Sequence, residues 1–227
     1  MGRPVSRNLL HKNYARAPWK LTHAELPRLA SAARRRYLEA THLHAHLDIH
    51  PDVSIGPGFR LWMPDDGTLE IGRGTELRHH TYIEIYGDGV VRIGPRCHLT
   101  YYTHIASSTS ITIGEGASLG LSTVILDGNH RFRDIGTHHL DQGYDFRPIT
   151  IGPEAMVFSN CTVINDIGHH AVIGANSVVT KPIPPYCIAV GAPARVIEYF
   201  GPPEERSPDI PADVPGRRPE PAAGGGG

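Results

Sequence analysis

At 227 residues the chain can form one substantial domain, and its 40% share of hydrophobic residues is enough to fill a core. The 22 Lys and Arg against 23 Asp and Glu leave no basic surplus to hold a nucleic acid backbone or an anionic membrane, so neither is expected as a partner. No run approaches the roughly 20 apolar residues of a membrane span, and MGRPVSRNLLHKNYARAPWK has no apolar signal core, which points to the cytoplasm.

Residues 1–50 read as an N-terminal helical extension. THAELPRLASAARRRYLEA has Thr22 and Glu25 spaced as a capping box, with Leu26, Leu29, Ala33 and Tyr37 roughly on one face. Arg34, Arg35 and Arg36 read as its solvated side, and the helix is expected to cover the end of whatever follows. In THLHAHLDIH, the histidines His42, His44, His46 and His50 could tempt a zinc reading. Alternation along a strand puts three of these rings on one side without any metal, and no metal is expected.

Residues 51–200 keep a beat. Ile-Gly followed six residues on by an aliphatic residue recurs at Ile55, Ile71, Ile93, Ile113, Ile151, Ile167 and Ile173. The place four after each Ile holds Thr75, Cys97, Ala117, Ala155, Ala171 and Ser177, with Phe59 as the exception. An aliphatic residue every six positions, among Gly and polar residues, is too sparse for an amphipathic helix. It implies short strands alternating with tight turns, stacked coil on coil into a solenoid with an interior aliphatic column; Gly is expected to supply the turn conformations. Cys97, Cys161 and Cys187 are widely spaced and read as small buried fillers.

The spacings between these seven repeats are 16, 22, 20, 38, 16 and 6, and the step of 38 stands out. It predicts a loop extruded at about 127–148, beginning in ILDGNHRFRD and too long for a neutral connection. At its root stands His130, where an imidazole can take a proton near neutral pH and so activate a hydroxyl or an amine. Asp127 and Asn129 flank it and either orient the base, hold an acceptor, or simply make a turn. After Phe200, residues 201–227 are dominated by Pro, Gly and charge and predict a disordered tail.

ILDGNHRFRD, DQG, RPITIG and AVIGANSVVTKPIPPYCIAVGAPARVI resemble, in order and spacing, the hexapeptide-repeat acetyltransferases, the branch of the maltose, galactoside, xenobiotic and polysaccharide O-acetyltransferases. The resemblance implies a mainly β fold, a left-handed parallel β-helix of triangular section, and a homotrimer with sites between adjacent prisms. It implies His130 as the catalytic base in direct acetyl transfer from acetyl-CoA to a small-molecule acceptor. By position it assigns Ser159, Ala175, Thr180, Lys181 and Arg195 to CoA. Relatives commonly carry Trp and Gly where this chain has Met156 and Phe158, which predicts a narrowed pantetheine channel. Tyr102, together with Tyr82, Tyr86 and Tyr101, is a candidate to stack on a sugar or a cyclic metabolite. The rival readings are a zinc protein like the γ-class carbonic anhydrases, which share this prism, and a non-catalytic assembly module.

Overall fold

The computed structural model of the protein describes residues 26–216. From His46 onward the chain winds through three parallel sheets, visited in the same order on every turn. Face A takes His46–Ile49, Thr68–Ile71, Val90–Ile93, Ser110–Ile113 and Ile149–Ile151, and single bridges at Ile167 and Ile183 continue it. Face B takes Ser54–Ile55, Glu76–Leu77, His98–Leu99, Ser118–Leu119, Met156–Val157, Val172–Ile173 and Cys187–Val190, and ends on the antiparallel strand Arg195–Tyr199. Face C takes Arg60–Trp62, Tyr82–Ile85, His104–Ser107, Val124–Leu126, Thr162–Val163 and Val178–Val179. Three faces meeting at three corners make a triangular prism.

Period-2 alternation along each short strand turns one side chain inward and its neighbours out. Leu69, Val91, Ile111, Leu77, Leu99, Leu119, Ile83, Ile105 and Ile125 are all buried to 1% exposure or less, one from each face per coil, stacked in register. Each such side chain contributes about 1.5–3 kcal/mol by leaving water.

The glycine of the Ile-Gly pair is required for a reason other than turn conformation. A Cβ on Gly72 would stand 2.6 Å from the Pro95 nitrogen, and one on Gly94 2.7 Å from that of Glu115, so the corner closes only where no side chain separates successive backbones. The left-handed conformation falls two residues later, on Gly74, Arg96, Gly116, Glu154 and His170. The small residues four after each Ile, Cys97 among them, fill the corner interior; Cys161 and Cys187 stand four after Val157 and Ile183, and all three cysteines are free, buried thiols. Desolvation pushes the thiols of Cys97 and Cys187 up to about 11.

Helix α1 (Leu26–Thr41) meets the prism with a different side from the one expected. Leu29 and Tyr37 are 66% and 68% exposed, and Ala33 is exposed too. Instead the Ser31 hydroxyl donates to the Val53 carbonyl and accepts from the Ile55 amide, while Arg34 and Arg35 donate to the carbonyls of Ile55 and Pro51 and Leu38 joins the core. What α1 covers is the edge of the first coil, whose open backbone groups call for polar partners rather than an apolar stripe. The Thr22–Glu25 capping box lies outside the described residues.

A second correction concerns the expected tail. Residues 201–216 fold back on the last coil, with Ile210 and Val214 buried in the core at 5% and 8% exposure. The Tyr199 amide donates to the Pro215 carbonyl, and Arg206 donates to that of Val214 while lying over the Tyr199 ring. Two aliphatic side chains spaced among prolines suffice here, because the end of the prism presents a ready apolar surface. The rest of the tail lies outside the described residues.

Candidate active site

The chain leaves face C at Asp127 and re-enters the prism on face A at Ile149. Between them Gly128–His130 pairs antiparallel with Tyr144–Phe146, setting Asn129 opposite Asp145 and His130 opposite Tyr144. The excursion is therefore a ladder at its base, and a short 3-10 turn, His139–Asp141, lies toward its far end.

Gln142 organises that end. Its Nε2 donates to the carbonyls of Asp134 and Thr137, and its Oε1 accepts from the Asp134 amide. The Asp134 carboxylate in turn accepts from Gly136 N and Thr137 Oγ1, and these donors hold its carboxyl below the usual range. Arg131 and Asp145 close the ladder with an ion pair at 2.6 Å, and Arg147 ties the returning strand to Asp166 at 2.8 Å. Within DQG, Gln142 does the holding and Gly143 takes a φ of 76°. The DQG pattern by itself assigns neither residue a task.

His130 is exposed on this ladder, its ring 4.2 Å from that of Tyr144 and 6.2 Å from that of His139. Among the described residues neither ring nitrogen is hydrogen-bonded within the chain, so both are open to a partner. An open hollow of about 500 Å³ adjoins it, lined among others by Phe132, Arg133, Asp141 and Gln142.

The flanking residues do something other than serve the base. Asp127 is 3% exposed, and its carboxylate accepts four hydrogen bonds, from Ser107 Oγ, Ser108 N, Thr109 N and Thr109 Oγ1, at 2.7 to 2.9 Å. It locks the root of the excursion onto the preceding coil, and these donors rather than His130 are its partners. Asn129 is exposed and points to the opposite side of the ladder from its neighbours in sequence. Tyr102 sits at the corner between faces B and C, in the left-handed conformation, stacked on His80 at 5.1 Å. Face C separates it from His130.

The residues assigned to CoA divide between corners. Ser159 and Ala175 occupy equivalent places on successive coils at the corner between faces B and C, one half-buried and one exposed. Thr180 and Lys181 follow the last strand of face C, at the corner from which the excursion also leaves two coils earlier. Lys181 lines an open groove of about 770 Å³ with Asp166, His169, Ser207 and Asp209. Arg195 begins the final antiparallel strand, exposed, with its guanidinium on the Ala194 carbonyl. Met156 and Phe158 are 43% and 47% exposed on face B beside Ser159. Within one prism these groups are spread over two corners and the final strand of face B.

The N-terminal histidines do not converge: His42 bonds the Leu38 carbonyl, His44 that of Met63, and His50 the Asp52 amide. Among the described residues no group of three or more His, Cys, Asp or Glu is placed to hold a metal ion, and no helix is long and apolar enough to cross a membrane.

No family model matches the chain. A serine acetyltransferase from Mycobacterium tuberculosis is 30% identical over 190 residues, which cover 79% of this chain and 77% of that protein. Galactoside O-acetyltransferase from Escherichia coli is 36% identical over 119 residues, 49% of this chain and 55% of the relative. A further Mycobacterium tuberculosis acetyltransferase is 32% identical over 156 residues, 67% of this chain, and the chain spans about half that relative's length, 52%. Among solved structures, an N-acyltransferase from Bacillus cereus in complex with dTDP-4-amino-4,6-dideoxyglucose and coenzyme A superposes with a TM-score of 0.60 at 16% identity, covering 71% of this chain and 87% of that one. A hexapeptide-repeat acetyltransferase from Vibrio cholerae, complexed with acetyl-CoA, does so at 0.50 and 22% identity, covering 81% and 89%. The stacked triangular coils, the single excursion bearing His130 and these relatives agree: the chain belongs to the hexapeptide-repeat acetyltransferases, enzymes built on the left-handed parallel β-helix.

Proposed function

We propose that the protein transfers an acetyl group from acetyl-CoA to a hydroxyl of a saccharide or secondary metabolite, with His130 as the general base and without an acyl-enzyme. The observation that carries this reading is an imidazole with both nitrogens open, standing exposed on a hydrogen-bonded ladder beside a hollow. In the step, a ring nitrogen of His130 takes the acceptor's O–H proton as that oxygen attacks the thioester carbonyl. The tetrahedral intermediate collapses by breaking the C–S bond, and the imidazolium returns the proton to the CoA sulfur. Nothing in this sequence consumes a metal or an oxidant. A cytoplasmic location is part of this proposal.

CoA is assigned to Ser159, Ala175, Thr180, Lys181 and Arg195, with the two cations facing its phosphates. Their division between two prism corners supports a site completed by a second copy, and threefold closure then gives a homotrimer with three equivalent clefts. The relatives whose names specify O-acetyl transfer to a galactoside, and the solved neighbour holding a sugar nucleotide with coenzyme A, favour a sugar-like acceptor.

The test is release of free thiol from acetyl-CoA across a panel of acceptors, comparing wild type with His130→Ala. The expected outcome is a fall in kcat of about 10²-fold or more with CoA affinity retained. Unchanged turnover removes His130 from the role.

A further inference from the structure

Face C carries, on its outer side, a cluster that the reaction above does not use. In register across the first three coils stand Arg60, Tyr82 and His104, and beside them Trp62, Glu84 and Ala106. The Arg60 guanidinium lies 4.9 Å over the Tyr82 ring, which stacks on His104 at 5.0 Å and 7°. Glu84 is the centre. Its Oε2 accepts from the Tyr86 hydroxyl at 2.6 Å, and its Oε1 lies 3.4 Å from His104 Nε2. That nitrogen is buried and makes no hydrogen bond of proper geometry, so it keeps an open valence next to the carboxylate.

Burial pushes the Glu84 carboxyl up, but the Tyr86 hydroxyl, with Tyr82 and His104 close by, outweighs it and holds the group below its usual range. The hydrogen bond to that carboxylate, with burial added, raises the Tyr86 phenol to about 12. A fixed acceptor charge thus sits between two flat apolar surfaces that remain open, Trp62 at 52% and Tyr86 at 42% exposure.

The cluster is continuous with the candidate active site. Glu84 is in register with Ala106 and Ala106 with Leu126, the last strand residue of face C before the excursion, on which the Tyr144 ring lies 4.2 Å from that of His130. The face that carries Glu84 therefore leads, strand by strand, to the root of the ladder that carries His130.

We propose that this face is the acceptor platform and that the acceptor is a saccharide, its C–H face lying on Trp62 and Tyr86 and its hydroxyls donating to Glu84. The chemistry fits that class. A sugar ring offers apolar C–H patches for an aromatic plane and O–H donors for a carboxylate such as that of Glu84. An anionic acceptor would be repelled by Glu84, and a purely apolar one would desolvate that charge without replacing the water it loses. The proposal rests on the acyl-transfer reading for its placement beside His130, but its test does not require turnover.

The chain contains two tryptophans, Trp19 and Trp62, so Trp19→Phe leaves Trp62 as the sole indole reporter. Titrating that protein with methyl glycosides of glucose, galactose, mannose and N-acetylglucosamine in the millimolar range is expected to give a saturable change in emission with at least one of them. Adding Glu84→Gln is expected to weaken that binding about tenfold, leaving CoA affinity and the thermal midpoint unchanged. In the wild-type tryptophan background, the same substitution is expected to raise KM for the glycoside more than it lowers kcat. No saturable change with any glycoside, or equal affinity with and without Glu84→Gln, overturns the proposal. A change in sedimentation with Glu84→Gln while glycoside binding is untouched assigns the face to assembly, which also overturns it. Glycoside binding without acetyl transfer leaves the platform standing and removes the transferase reading; transfer to acceptors other than sugars, with no glycoside binding, does the reverse.

Discussion

The prism and the excursion that leaves it hold their shapes by opposite means. Along the coils, three aliphatic side chains per turn are sealed inside, and the backbone pairs with the coils on either side. Between His130 and Pro148 no side chain is buried, and Phe132, Ile135 and Leu140 stand 69%, 103% and 61% exposed. That segment keeps its form through the antiparallel ladder, the Gln142 and Asp134 hydrogen bonds and two ion pairs. Apolar burial is insensitive to direction and makes a stiff column; hydrogen bonds in water are worth little each but fix angles. The scaffold is built from the first and the candidate chemistry is placed by the second.

This contrast can be broken most forcefully from the prism side. Ile125 is fully buried one coil segment before the excursion, and Ile125→Ala should cost about 2–5 kcal/mol, read as a drop in thermal or denaturant midpoint. A loss below about 1 kcal/mol would mean that the column packs too loosely to act as the scaffold.

At the junction of the two regions, Asp127→Ala strands the amides of Ser108 and Thr109 and both hydroxyls, and about 2–4 kcal/mol of stability should go with it. Because the same carboxylate fixes the root of the ladder, activity should fall together with the midpoint. Loss of activity with no loss of stability would instead make Asp127 a participant in the reaction.

The smallest effect on stability is expected from the excursion itself. Gln142→Ala removes three exposed hydrogen bonds and should shift stability by less than about 1 kcal/mol, yet lower kcat by about tenfold by loosening the far side of the hollow beside His130. If kcat stays constant, the ordered tip has no part in positioning the reactants.

Much of the prism was legible in the sequence because its determinants are local and repeated. An Ile before Gly and a small residue four later carry the same instruction on every coil, and seven copies exclude chance. The length of the step from Ile113 to Ile151 likewise marked an excursion without any structural knowledge. Turn glycines such as Gly74 and Gly116 do supply the left-handed conformation, while the glycine of the Ile-Gly pair is demanded by close coil stacking, which spacing alone does not reveal. The face of α1 was misread as well: an amphipathic pattern predicts packing on a core, and this helix meets a strand edge. Asp127 shows the limit most clearly. Beside a histidine in sequence it looked like a partner for it, and its four donors come from residues 18 to 20 positions earlier, a relation that no local pattern encodes.

The sequence by itself determined that the chain would coil, how often, where it would break step and which imidazole would stand at the break, because each depends on residue type at fixed spacing. Tertiary structure alone decided what meets across coils: the ladder under His130, the carboxylate spent on the turn before it, the row of Arg60, Tyr82, Glu84 and His104 on one face, and the folding back of residues 201–216. Those contacts join residues about twenty apart, or farther, whose side chains become neighbours only once the stacking register is set.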